Sequence, residues 1–98
     1  MMASFILLLD YVRPLVEVDA QIAAHRAFLE SQYAAGIFLL SGRQEPRIGG
    51  VIMAQATSLA AIEAITQQDP FYISGVAQYT VIEFVPTMSA DSLSFLVA

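Results

Sequence analysis

The chain has 98 residues, 57% of them hydrophobic and 13% charged, with a formal charge of −5. Typical soluble domains carry about 25% charged residues, so this composition predicts that a partner covers part of an apolar surface. The sequence holds no lysine, no cysteine and one histidine, which excludes a P-loop, Schiff-base chemistry, thiol catalysis and disulfides and disfavours a transition-metal site, and four arginines are too few for a nucleic-acid surface.

Ala3 to Tyr11 is a compact apolar run closed by Asp10 and the Arg13-Pro14 break, which predicts a strand. Phe5, Leu7 and Leu9 occupy one parity and Ile6 and Leu8 the other, so the strand is apolar on both faces. The run is too short to span a bilayer, and no basic segment precedes it as a signal peptide requires. A cytoplasmic protein without membrane contact is expected.

Asp19 can cap a helix from about Ala20 to Ala35, with Gly36 taking the left-handed conformation that ends it. Ile22, His25, Leu29 and Tyr33 follow one another at steps of three, four and four, so they share one face. The single histidine therefore lies on an apolar stripe. Imidazole, with an unperturbed pKa of about 6.5, can serve there as acid, base or switch. The alternative is a core histidine satisfied by a carbonyl or a tyrosine hydroxyl. Tyr33 is too distant along the helix to be that partner, whereas Tyr11, Tyr72, Tyr79 and Asp69 remain open.

Ile37 to Arg43 reads as a second strand and Val51 to Ala56 as a third, joined by the turn-rich stretch Gln44 to Gly50. Ser41 shares the parity of Ile37 and Leu39, so if those face the helices its hydroxyl does too. Ser41 and Gly42 can offer donors to an oxyanion, or they can simply form a turn. Arg43 continues the parity and suits either an anionic substrate group or a surface ion pair. Gly49-Gly50 follows no strand and opens no helix, so it is not a phosphate-binding loop.

Ser58 is the N-cap of a predicted second helix, Leu59 to Gln68, whose inner stripe is Leu59, Ile62 and Ile65. Asp69 continues that stripe at the helix end, where partial negative charge disfavours a carboxylate unless a cation such as a protonated His25 faces it. Asp-Pro is also a turn initiator, and both roles stay open. Phe71 to Ala77 is expected as a loop, Tyr79 to Val85 as a fourth strand, and residues 87–98 as an apolar tail that packs against something.

The order βαββαβ predicts a single α+β domain over residues 1–98, a ferredoxin-like sandwich with both helices on one face of an antiparallel four-stranded sheet. The doubly apolar first strand then needs a cover on the open face. A homodimer in the dimeric α+β barrel arrangement supplies it, with a higher oligomer as the variant.

A histidine in the first helix, Ser41-Gly42 ending strand two, and Asp69-Pro70-Phe71 after helix two, followed by Gly75 and a terminal strand, together resemble the YCII-related (YciI-like) family. The resemblance spans Phe5 to about Thr87. It implies a ferredoxin-like fold, dimers, and an active site built on a His-Asp pair, here His25 and Asp69, with Ser41 and Gly42 lining the same pocket. A dehydrochlorinase in that family points to lyase or isomerase chemistry. The chain departs from the pattern at Arg43, where a proline commonly follows the glycine.

The expected function is a lyase or isomerase without cofactor, acting on a small hydroxylated or carbonyl compound. His25 would move the proton, Asp69 would orient the ring, and Ser41, Gly42, Arg43 and Phe71 would contact the substrate. The competing expectation is a non-catalytic dimeric module that binds a small ligand or a protein.

Overall fold

β1 (Ala3–Tyr11) is an inner strand of a four-stranded antiparallel sheet. The sheet order is β2-β3-β1-β4, with β2 at Phe38–Arg43, β3 at Gly49–Ala56 and β4 at Ala77–Phe84. The computed structural model describes residues 2–97, so Met1 and Ala98, the ends of the expected domain and tail, lie outside the described residues. The ferredoxin-like α+β arrangement read from the element order is the one observed.

The period of two along β1 decides where the core lies. Phe5, Leu7 and Leu9 are at most 2% exposed and join Ile52, Ala54, Phe38 and Ala77 from the other strands in one cluster. Val18, Phe28, Ile62 and Phe71 meet them from the helical layer. Each fully buried Phe, Leu or Ile contributes about 1.5–3 kcal/mol relative to exposure, so this layer carries most of the stabilisation. On the opposite sheet face Leu40, Val51 and Ile82 are exposed and Ile6, Leu8 and Met53 only partly covered.

The single helix expected from Ala20 to Ala35 is two helices, α1 (Leu15–Ala20) and α2 (Ile22–Ala34). Pro14 ends the preceding extended segment and stands at the N-cap of α1, where its missing N–H is no loss. Asp19 therefore lies inside α1 and caps nothing; its carboxylate pairs with Arg47. Gln21 forms the joint, its N–H bonding to Val18 O at 3.0 Å before α2 resumes. On α2 the deepest side chain is Phe28, and Tyr33 lies at the edge of the stripe, 38% exposed. Gly36 has φ +74°, the left-handed geometry assigned to it.

α3 (Leu59–Thr66) starts at Ser58, whose hydroxyl accepts the Ala61 N–H at 3.1 Å. The segment expected as a loop from Phe71 to Ala77 begins instead inside a one-turn helix, α4 (Pro70–Ile73). Its cause is local, an aspartate N-cap followed by proline at the first helical position. The tail expected to pack is not buried within this chain. It forms a 3-10 turn over Asp91–Leu96 with no buried residue, and Met88 and Phe95 are 90% and 62% exposed. Leu96 and Val97 at its end are partly covered.

Gly49 is required by close packing. A Cβ there would lie 1.8 Å from the carbonyl oxygen of Leu9 on the paired strand. Among the described residues no helix is long and apolar enough to cross a membrane.

Candidate active site

Asp69 is the anchor of the site. Its extended backbone ahead of Pro70 turns the carboxylate back on α4, where Oδ1 accepts the Phe71 N–H at 2.9 Å. The electrostatic objection to a carboxylate at a helix end falls away, because α3 stops at Thr66 and Asp69 meets the N–H end of the next helix. The same Oδ1 lies 2.8 Å from His25 Nδ1, so the turn contact and the histidine contact coexist.

The second carboxylate oxygen has a different partner. The Tyr79 hydroxyl, from β4, donates to Oδ2 at 2.5 Å. Burial pushes the Tyr79 phenol well above its ordinary value, and the adjacent Asp69 charge and hydrogen bond push it the same way. Tyr79 is thus a fixed donor at neutral pH. Asp69 is fully buried with three hydrogen bonds, and no buried side-chain nitrogen or oxygen among the described residues lacks a partner.

His25 is constrained twice. Its Nδ1 is held by Asp69, and its ring stacks on Phe71 with centroids 3.8 Å apart and planes 2° from parallel. An ionised carboxylate only accepts, so the neutral form of the ring carries its proton on Nδ1 and its lone pair on Nε2. Nε2 bonds to no described residue and is not sealed, its side chain being 13% exposed. The ring lines a cavity of about 630 Å³.

Of the residues singled out from sequence, His25, Ser41, Gly42, Arg43 and Phe71 all line that cavity, while Asp69 stands behind the histidine. Ser41 arrives there for a reason parity alone does not supply. Phe38, not Ile37, is the buried residue, paired with Ala54, and an irregularity follows it because Leu39 has no partner on β3. Ser41 then pairs with Ile52 and shares its helix-facing side. The Ser41 hydroxyl is bonded to that of Tyr33. Arg43 is 70% exposed and pairs with Glu45 at 3.0 Å.

Leu9, Ile22, Leu29 and Ile52 give the cavity apolar walls beside Tyr11, and Arg26 and Arg47 are lining residues the sequence did not point to. Arg26 lies off the histidine's stripe, and Arg47 sits in a loop whose path no periodicity describes. Tyr79 was one of several tyrosines open to His25; it reaches Asp69 instead. Among the described residues no cluster of three or more histidine, cysteine or carboxylate side chains suits a metal ion.

The family model for the YCII-related domain matches residues 4–85. No curated protein matches the chain. Among solved structures, the chain is similar to 5-chloro-2-hydroxyhydroquinone dehydrochlorinase from Burkholderia phenoliruptrix, in a complex with 2,5-dihydroxybenzoquinone. The TM-score is 0.65 at 22% identity, over 82% of this chain and 92% of that one. That likeness is one of fold.

Proposed function

The chain belongs to the YCII-related domain family, and from that premise we propose that its cavity is a lyase or isomerase site in which His25 transfers a proton on a small hydroxylated or carbonyl compound. The observation that carries this reading is the chain of contacts behind Nε2, in which Asp69 holds His25 Nδ1 at 2.8 Å and Tyr79 holds Asp69 at 2.5 Å. A base needs an available lone pair, a fixed direction and a counter-charge for the cation it becomes. Nε2 supplies the first, the Phe71 stack and Nδ1 contact the second, and Asp69 the third.

In this mechanism Nε2 takes a proton from an O–H or C–H of the substrate. The electron pair left behind moves into the conjugated system. In a lyase it expels an anion from a neighbouring carbon; in an isomerase the imidazolium returns the proton to a different carbon. The Tyr33 and Ser41 hydroxyls are bonded to each other; with Tyr33 as the donor, the Ser41 hydroxyl is free to donate to the oxygen on which charge develops.

The test uses the purified protein with 5-chloro-2-hydroxyhydroquinone, the compound in the structural neighbour's name, and with small acidic C–H compounds in D₂O. Chloride release or deuterium incorporation is expected, falling about 10²-fold or more in His25→Ala. Undiminished turnover in that variant refutes the role of His25. Saturable binding with neither chloride release nor exchange makes the chain a ligand-binding module instead.

We also infer that two chains pair through the open sheet face, where exposed Leu40, Val51 and Ile82 adjoin partly covered Ile6, Leu8 and Met53. Light scattering is expected to give twice the chain mass, and Ile82→Glu to lower it. A monomeric wild type overturns the pairing.

A further inference from the structure

The arginines of this chain are not spread over its surface. Of four in the sequence, Arg26, Arg43 and Arg47 line the cavity, and only Arg13 stands elsewhere. One carboxylate, Asp19, lines it with them. In a chain of formal charge −5, this gathers three of the four cationic side chains at one concave place.

The three cations approach from two sides. Arg26 is on α2, four residues after Ile22 and three before Leu29, both of which also line the cavity. Arg43 ends β2 and Arg47 lies in the loop to β3. Arg43 and Arg47 hold exposed carboxylates, Glu45 and Asp19. Arg26 makes no ion pair or hydrogen bond with any described residue, although it is the nearest in sequence to His25. Arg26 is thus a cation without a protein partner in the cavity wall, one residue from the candidate base and beside the apolar Ile22 and Leu29, which suits an anion with an apolar body.

We propose that the cavity takes a small organic carboxylate, its carboxylate group bound by Arg26 with Arg43 and Arg47 opposite, and its apolar body against Ile22, Leu29 and Ile52. This rests on the proposed function only for where the reacting carbon sits, beside His25 Nε2. The forked guanidinium matches a carboxylate in two parallel hydrogen bonds, which a neutral amide cannot reproduce.

The probes are matched acids and amides, benzoate with benzamide and 4-hydroxybenzoate with 4-hydroxybenzamide, titrated into ¹⁵N-labelled protein at low salt. Each acid is expected to bind about tenfold more tightly than its amide, shifting the Arg26 Nε resonance, with the preference shrinking as salt rises. Arg26→Gln brings acid binding close to that of the amide, and Arg13→Gln leaves the preference unchanged. Equal affinities in both pairs, or full preference in Arg26→Gln, overturns the proposal. Inorganic phosphate binding as tightly as benzoate overturns it too, since the apolar walls then contribute nothing. His25→Gln separates the two readings, because it is expected to keep the acid preference while losing proton transfer. Acid preference in a wild type that moves no proton refutes the proposed function alone. Turnover of a neutral substrate without acid preference refutes this inference alone.

Discussion

Replacing Tyr79 by Phe removes one oxygen from the site and nothing else. The ring still fills its place on β4, but Asp69 Oδ2 loses its hydrogen bond, since the other two contacts of that carboxylate are made at Oδ1. An acceptor left unpaired at 0% exposure costs about 1–3 kcal/mol or more when it belongs to a charged group. We expect a loss of about 2 kcal/mol at pH 7, which for a domain of this size lowers Tm by about 8–16 °C. Urea unfolding followed by far-UV circular dichroism measures it as a lower midpoint at unchanged m-value.

The pH dependence gives the same argument a second, independent reading. The folded-state pKa of Tyr79 is raised, first by burial and then by Asp69. A raised pKa contributes stability that is fully present below the unfolded value, about 10 for tyrosine, and is lost as pH rises beyond it. The wild type is therefore expected to lose about 1.4 kcal/mol per pH unit above pH ~10 relative to Tyr79→Phe. The gap between the two proteins narrows there. Every other ionisable group, the three remaining tyrosines included, is common to the two proteins, so the difference isolates the Tyr79 phenol. Equal midpoints at pH 7, or a gap that stays constant to pH 11, would refute the placement of this hydrogen bond.

Asp69→Asn retains an acceptor for the Nδ1 proton but removes the charge facing the imidazolium, so turnover is expected to fall about 10²-fold or more while ligand affinity changes little; a fall in affinity alone contradicts the role given to it. Tyr33→Phe frees Ser41 from its hydroxyl partner and is expected to lower kcat roughly three- to tenfold with little change in Tm, Tyr33 being 38% exposed; a wild-type kcat removes the Tyr33 contact from the mechanism. Gly49→Ala drives a methyl to 1.8 Å from the Leu9 carbonyl, and a loss of about 3 kcal/mol in urea unfolding is expected. A midpoint within error of wild type would mean that β1 and β3 separate more easily than their pairing indicates.

Much of this molecule was legible as local pattern. The period of two in β1 marked Phe5, Leu7 and Leu9 as one face, the face the structure buries, because a strand's side chains must alternate whatever surrounds them. The spacing around His25 turned its ring inward for the equivalent reason in a helix, and Asp69-Pro70 carried its own N-cap geometry. Where local signals competed, sequence reading went astray. Asp19 has the chemistry of a cap yet sits within α1, since Pro14 starts the helix earlier, and the tail's apolar residues showed nothing about whether a surface waits for them.

Composition and order thus determined by themselves the α+β class, the four strands and their order along the chain, the inward histidine and the exclusion of thiol, lysine and P-loop chemistry. Tertiary structure alone decided how the groups meet. His25 and Asp69 come within 2.8 Å across 44 residues of chain, Tyr79 takes the other carboxylate oxygen, an unpaired Leu39 resets the side on which Ser41 falls, and three arginines converge on one cavity. The physical reason is one of range. Periodicity reports which side of its own element a residue occupies, whereas a contact between elements depends on how the sheet and helices settle against one another, and that geometry is written in no single segment.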